Sequence, residues 1–425
     1  VKYSKIIILI GGNMKEKYLI INAGSYSLKF SLYEMPDNIE IVNGIVEKIG
    51  ECDSSYTLKF NGQKIKKSKE ILDHECAANV MMEELLQDHF INDISEIAGV
   101  GHRILHGGEF YDSSVLIDEE VFENIKSLTK LGPLHHPGEL AGISSITKIM
   151  PSVPQVAVFD TSFHQTMPKE NYLYAVPYSW YTENGVRKYG FHGTSHRYIT
   201  ERLKGIYGEN VNAIICHIGS GASISCIKEG KCYDTSMGLT PLDGLVMGTR
   251  CGSIDPSIID YISKERGLTI AEINEILNKK SGLLGMCGKN DFRDVTVLAE
   301  NGNENAINAI KIMENSITKY IANYYLELGG NVNALVFTAG CGENASSLRK
   351  DIMEKISCLG VKIDENMNNK IAGFKDIHEG IISEVGSSFD CLVIPTNEEY
   401  MILNDTYNII KDRKNVRVLE KKINA

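Results

Sequence analysis

Two histidines, two arginines and a lysine crowd around two glycines in the run RKYGFHGTSHR, from Arg187 to Arg197. So many cationic groups are costly to bury, which points to an anion or a reacting group nearby; a basic surface loop capping a helix at Thr194 or Ser195 is the plainer alternative. Arg103, ahead of His106-Gly107-Gly108, and Arg250, inside MGTRCG, can each offer a planar guanidinium fork to a carboxylate or phosphoryl group, or serve as a surface ion-pair partner. Asp160 closes an apolar run, where α/β proteins place catalytic carboxylates and also helix caps. Glu398, at a helix start after a strand, could hold Mg²⁺ directly or through water, or simply suit the helix dipole.

Such groups need rigid elements to aim them, and the chain contains one suitable construction twice. Residues 18–34 (YLIINAGSYSLKFSLYE) and 213–228 (AIICHIGSGASISCIK) each read as an apolar run, a Gly/Ser turn and a second, alternating run, the pattern of a β-hairpin. A glycine turn lets backbone N–H groups converge on an anion, and nearby hydroxyls with Lys29 can complete a phosphate cradle. Ser25, Ser27 and Lys29 fall on one face of the second strand, with Leu28, Phe30 and Leu32 on the other; an ordinary half-buried hairpin with a solvated lysine fits the same pattern. Asn22, before the turn, can orient a ligand or satisfy a turn amide.

The rest of the chain reads as strands alternating with helices, which is α/β layering. Strands are expected at 99–104, 155–159, 334–338 and 391–394, and helices at 119–131 and 304–328, with a closing helix of about fifteen residues. The stretch Ala339–Asn344 reads as a glycine loop between strand and helix, a nucleotide-contacting unit, and Thr396 with Glu399 has capping-box spacing. At 425 residues, two domains are expected. A formal charge of −11 argues against nucleic acid or an anionic membrane as the main partner, so an anionic substrate must meet a local basic cluster. The ten cysteines lack a CxxC pair or regular framework, which predicts reduced thiols and a cytoplasmic location. Residues 1–13 hold five consecutive apolar residues, too few to span a bilayer, and Met14 reads as a natural start, so they form an extension without assigned function.

Taken together, the runs INAGSYSLKF, GHRILHGGE, PLHHPGEL, VAVFDTSFHQTMP, YGFHGTSHRY, Cys216–Pro256, NDFRDV, FTAGCGEN and IPTNEE closely resemble the acetate kinase (acetokinase) family, of the superfamily that also holds sugar kinases, heat-shock ATPases and actin. They stand in the family's order and cover about residues 17–410. The resemblance implies a duplicated actin-like (ribonuclease H-like) α/β fold with an interdomain active-site cleft. Its first domain would comprise residues 14–162 and about 396–425, and its second, nucleotide-side domain residues 163–395. It implies reversible, direct in-line phosphoryl transfer between ATP and acetate, giving acetyl phosphate and ADP, with Mg²⁺ or Mn²⁺, in a homodimer.

Position by position, the resemblance makes Asp160, His192, Arg250 and Arg103 catalytic, and Arg103, Leu105, Leu134, Phe191 and Pro241 the acid-binding residues. Asn22 and Glu398 would hold the metal, Ser25 and Ser27 the phosphate hairpin, and Lys29 with His217, Ile218, Gly219, Ser220 and Gly221 the nucleotide phosphates. Asp291, Phe292 and Arg293 match the ribose- and adenine-contacting run, and Gly340, Cys341, Gly342, Glu343 and Asn344 the adenosine loop. Leu105 stands where acetate kinases usually carry Val and propionate kinases a smaller residue, which predicts acetate over propionate and butyrate. The chain departs from the family at Tyr26 (usually Ser), His136 (Asn), Ser220 (Asn) and Ser253 (Asp). The alternatives are a propionate or other short-chain acyl kinase, a pyrophosphate-using relative, and an inactive nucleotide-binding scaffold.

Overall fold

The computed structural model describes residues 15–133, 135–373, 375 and 377–423; the proposed extension, residues 1–13, lies outside them. The chain divides into two compact units. Unit 1 runs up to Ile104 and adds Ser114–Val158 and the chain from Glu399 onward; unit 2 comprises Leu105–Ser113 and Phe159–Glu398. The sequence reading placed Leu105–Ser113 and Asp160 in the first domain. The first segment joins unit 2 because Leu105 packs in that unit's core, Gly107 N–H donates to Thr161 Oγ1 and Glu109 pairs with Arg187.

Unit 1 is built on β1 (Glu16–Gly24), β2 (Ser27–Met35), β3 (Ile39–Glu47), β4 (Ser55–Phe60), β5 (Gln63–Ser68), β6 (Ile97–Ile104), β7 (Val115–Leu116) and β8 (Gln155–Phe159). They form one sheet in the order β5-β4-β3-β2-β1-β6-β8-β7, with β1 parallel to β6. Alternation along β1 sends Leu19 and Ile21 to one core, covered by helices His74–Gln87 and His136–Ile149, and Tyr18 and Ile20 to another. The second face is covered by the helix Glu398–Ile423 through Ile402, Leu403 and Ile410. Glycines in β6 make that approach possible, because a Cβ on Gly99 or Gly101 would stand 2.1 Å from Ile410 Cδ1 or 2.3 Å from Thr406 Oγ1. This helix has 26 residues rather than about fifteen: its buried apolar residues among the described side chains run as far as Ile410, and helical backbone continues past it.

Unit 2 repeats the plan with β9 (Ala213–Ile218), β10 (Ala222–Lys228), β11 (Lys231–Thr235), β12 (Ala334–Thr338), β13 (Gly380–Ile381) and β14 (Asp390–Val393). Their order is β11-β10-β9-β12-β14-β13, with β9 parallel to β12. In both sheets an antiparallel meander leads with its first strand, which then pairs in parallel with a strand delivered by a helix; here the helix is Glu304–Glu327. One face of this sheet packs Ile214, Cys216, Ile218 and Phe337 against that helix, and the other packs Ile215 and Val336 against Ile199 and Leu203 of the helix Gly193–Tyr207. All ten cysteines are free thiols. Among the described residues no helix is long and apolar enough to cross a membrane.

Candidate active site

In unit 2, Asp160, His192, His217 and Arg250 lie close together around the start of the helix Gly193–Tyr207 and the turn after β9. Asp160 follows β8 and is 1% exposed; Thr194 Oγ1 donates to its Oδ1 at 3.2 Å, and Gly193 N–H donates to its carbonyl at 2.9 Å. A Cβ on Gly193 would stand 2.2 Å from that carbonyl oxygen, so only glycine lets the helix start this close to the strand end. His192, just before it, takes a left-handed backbone (φ 56°), a conformation a β-carbon disfavours and surrounding contacts must hold. Its Nδ1 meets Ser223 Oγ at 2.9 Å, and its ring stacks on His217 at 4.3 Å between centroids.

The turn of the second hairpin lies beneath this ring. An added Cβ on Gly221 would be 3.4 Å from His192 Nε2 and 3.5 Å from Arg250 Nη1, so an imidazole and a guanidinium nitrogen converge over a bare glycine. Arg250 is anchored by donation from Nη1 to the Pro241 carbonyl at 3.2 Å, and burial lowers the pKa of its guanidinium. Gly282 supports that loop from below: its φ is +59° and a Cβ would stand 2.6 Å from the Arg250 carbonyl. Ser253, read from the sequence as a departure from the family, bonds Asp243 Oδ1 at 2.6 Å and accepts from Gly244 N–H, bracing the loop next to Pro241.

A second hydroxyl chain ties the C-terminal end of β14 into the same place. His217 Nδ1 bonds Ser195 Oγ at 2.8 Å, and Ser195 Oγ bonds Thr396 Oγ1 at 2.7 Å. Glu343 Oε1 accepts from Ala339 N–H at 2.8 Å and Thr396 N–H at 3.1 Å, joining the ends of β12 and β14 just ahead of Glu398. The capping box expected from Thr396 and Glu399 is therefore not formed. Thr396 is engaged with Ser195, while Glu399 accepts from Ser31 and Tyr33 of β2, both at 2.9 Å.

The nucleotide-side run differs in part from its sequence reading. Ala339–Asn344 is a short helix rather than a loop, entered through Ala339 at φ 65°. Gly340 is open, with nothing within 4 Å of an added Cβ, whereas Cys341 is half-buried with its thiol pKa pushed up to about 11 by burial. Gly342 is buried, and Asn344 bonds the Gly340 carbonyl and Gly373 N–H. Asp291 caps the helix Phe292–Glu300 through Arg293 N–H and pairs with the Arg293 side chain at 2.6 Å; these bonds hold its carboxyl down at about 2. Phe292, at 6% exposure, belongs to the hydrophobic core.

The basic run that opened the sequence reading is mostly spent internally. Arg187 pairs with Glu109 at 2.6 Å and lies 3.7 Å over the Tyr172 ring, and Lys188 pairs with Asp234 at 2.5 Å. These pairs clamp the loop that carries Phe191 and His192. Phe191 and Leu105 both lie in the buried core of unit 2, and Pro241 is half-buried. Leu134 lies outside the described residues.

In unit 1, Asn22 of β1 pairs directly with Lys29 of β2, and Lys29 and Ser25 are exposed, with Ser27 half-buried. The turn beside them is pinched in place. His74 Nε2 donates to the Gly24 carbonyl at 2.7 Å, and a Cβ on Gly138 would stand 2.5 Å from that same oxygen. Arg103 is half-buried at the end of β6, next to His102, whose fully buried ring bonds Gln155 and has its pKa lowered to about 4 by burial. His136, another family departure, is buried and donates from Nδ1 to the Ile125 carbonyl; Tyr26 is exposed.

Sequence reasoning missed Ser223, Glu109 and Gly282, and read Ser195 and Thr396 only as helix-cap candidates. The partners of these hydroxyls carry no local signal, because each is distant in the chain. The model of the acetokinase family matches residues 17–404. The chain is 47% identical over 397 residues to an acetate kinase of Staphylococcus haemolyticus, covering 92% of this chain and 98% of that one. It is 46% identical over 407 residues to an acetate kinase of Clostridium novyi, covering 94% and 100%. Among solved structures, an acetate kinase of Porphyromonas gingivalis superposes with a TM-score of 0.88 at 41% identity, covering 93% of this chain and all of that one. A propionate kinase of Francisella tularensis superposes with a TM-score of 0.87 at 42% identity over the same shares.

Proposed function

The chain belongs to the acetokinase family, and we propose that it moves a phosphoryl group reversibly between ATP and acetate, giving acetyl phosphate and ADP by direct in-line transfer. The observation that carries this reading is the convergence of His192 Nε2 and Arg250 Nη1 over Gly221, on the helix start that also holds Asp160. Acetate is ionised at neutral pH, so no base is needed to make the nucleophile. The barrier lies in bringing one anion to another and holding them in line. His192 and Arg250 donate to the equatorial oxygens of the moving group, where the charge resides. Arg103 of unit 1 holds the carboxylate, and Asp160, fixed by Thr194, orients the cationic groups around it.

The second hairpin turn, His217 to Gly221, faces the nucleotide phosphates in this reading, with Gly340 and the exposed Asp291–Arg293 pair on the nucleoside side. Asn22 and Glu398 supply an amide oxygen and a carboxylate, hard donors of the kind Mg²⁺ accepts alongside water and substrate phosphates. Among the described residues no group of three or more His, Cys, Asp or Glu forms a cage, so these two donors suit a metal shared with the nucleotide. When bound, Mg²⁺ would neutralise charge on the phosphates. The same reading makes the chain a cytoplasmic homodimer, which cell fractionation and light scattering test.

The choice of acid follows from Leu105. Similarity to an acetate kinase and to a propionate kinase is nearly equal, so whole-chain likeness does not decide it. Leu105 is 8% exposed and Phe191 1% exposed, leaving little side-chain surface to yield to a longer acid. Each added methylene is expected to cost about 1–3 kcal/mol, or roughly 10- to 200-fold in kcat/KM. A hydroxamate assay with ATP, Mg²⁺ and acetate, propionate or butyrate checks this. Acetate is expected to lead; a preference for propionate overturns the acid assignment, and no acyl phosphate from any acid overturns the kinase reading. Trapping a phosphorylated Asp160 or Glu398 on the catalytic path would overturn direct transfer.

A further inference from the structure

We propose that Ser223 and His196 are positioning residues that decide which ring nitrogen of His192 carries its proton. The inference rests on the reading of His192 given above and extends it inward. Behind His192 runs a continuous chain of polar atoms: His192 Nδ1 to Ser223 Oγ at 2.9 Å, Ser223 Oγ to His196 Nε2 at 2.8 Å, and His196 Nδ1 to Ser225 Oγ at 2.7 Å. Ser223, His196 and Ser225 are all 0% exposed. No part of the proposed reaction requires a second buried histidine here, and an apolar residue would pack β10 against the 193–207 helix at less cost.

The proton count makes the chain directional. Ser223 has one hydroxyl proton and stands between two imidazole nitrogens. His196 is held neutral: burial first, then the neighbouring His164 and His217, lower its pKa well below the usual histidine value. If His196 carries its proton on Nε2, it donates to Ser223, whose hydroxyl then donates to His192 Nδ1. His192 must in that case bear its proton on Nε2, the nitrogen that faces Arg250 over Gly221. If His196 carries its proton on Nδ1, the hydroxyl turns round, donates to His196 Nε2 and accepts from His192 Nδ1–H. A neutral His192 would then present a bare Nε2 lone pair to an anion, which is repulsive. The first arrangement supplies a donor without an added charge, and the second supplies one only from an imidazolium. Through one hydroxyl, the state of a residue buried from substrate is coupled to the donor that faces it.

The test uses full-length protein labelled with ¹⁵N on histidine rings, with His192 assigned by its absence from His192→Gln. In the unaltered enzyme the ring nitrogens of His192 are expected to show one fixed protonation pattern. Ser223→Ala is expected to alter that pattern and to lower kcat roughly 10- to 100-fold, the range for removing an outer-shell partner of a functional histidine, with KM for ATP and acetate little changed. His196→Leu should do the same, while His196→Gln, which keeps a polar group near the Nε2 position, should restore part of the rate. Unchanged His192 nitrogen signals in Ser223→Ala overturn the relay. Altered signals with an unaltered kcat support the relay and overturn the catalytic role of His192, so the two claims fail separately. A loss confined to KM, or equal losses in His196→Leu and His196→Gln, also overturns the proposal, since that is what simple packing damage would give.

Discussion

Gly221→Ala is expected to lower kcat for acetyl phosphate formation roughly a hundredfold while leaving the protein as stable as before. The expectation rests on where the new methyl group would go. It would sit 3.4 Å from His192 Nε2 and 3.5 Å from Arg250 Nη1, ordinary contact distances that require no movement of either side chain. Gly221 also has no left-handed backbone to strain, so alanine should leave stability unchanged or raise it by up to about 1 kcal/mol through a less flexible unfolded chain. The loss therefore comes from occupying the space over the glycine, between two donors that must both reach one anion. The checks are steady-state kinetics with varied ATP and acetate, and thermal unfolding. Normal kcat in a correctly folded Gly221→Ala protein would remove the assignment of His192 and Arg250 to the moving phosphoryl group.

The second large effect concerns stability. Arg349 is 0% exposed, and its hydrogen-bond partners among the described residues are an amide oxygen and backbone carbonyls. Its Nε donates to Asn368 Oδ1 at 2.8 Å, Nη1 to the carbonyls of Gly342 at 3.0 Å and Glu343 at 2.8 Å, and Nη2 to those of Asn368 at 2.8 Å and Ile371 at 2.9 Å. Five acceptors thus meet the five N–H donors of a guanidinium, most of them at the C-terminal ends of the helices Ala339–Asn344 and Glu365–Lys370. Burial lowers the guanidinium pKa to about 10, which still leaves it charged at neutral pH. Arg349→Met would leave those oxygens buried without donors, and is expected to cost about 3–5 kcal/mol. Arg349→Lys, with three donors on one nitrogen, should fall between. Urea unfolding measures the loss, and KM for ATP should rise as the Gly340–Asn344 segment loosens. An Arg349→Met protein as stable as the parent would show that the five bonds are replaceable by solvent.

The sequence reading and the structure agree most closely where structure is local. Both hairpins, the strands at Gln155–Phe159 and Ala334–Thr338 and the long Glu304–Glu327 helix follow from alternation and helical period, which depend on near neighbours in the chain. They part where a residue's partner is far away. Arg187 and Lys188 looked like anion ligands because their sequence neighbours are histidines and glycines, but Glu109 and Asp234 neutralise them. Thr396 and Glu399 had cap spacing, yet Ser195, about two hundred positions back, and Ser31 and Tyr33 in β2 offered better bonds. Glu343 was read as part of the adenosine loop, and its carboxylate ties two strand ends together, a role its neighbours did not announce. Phe292 likewise sits in the core, a placement its charged neighbours did not announce.

By itself, the amino-acid sequence determined the family and the doubled sheet plan, and it singled out Asp160, His192, Arg250 and the glycine turn as candidates, because these signals reside in contiguous runs. Only the tertiary structure decided which of the charged and hydroxyl residues are engaged by partners far away in the chain. Ser223 and Arg349 carry no local pattern, and the local patterns of His196, Ser195 and Thr396 do not name their partners, since a buried polar group is tolerated wherever a partner reaches it, and that partner is supplied by folding rather than by sequence neighbours.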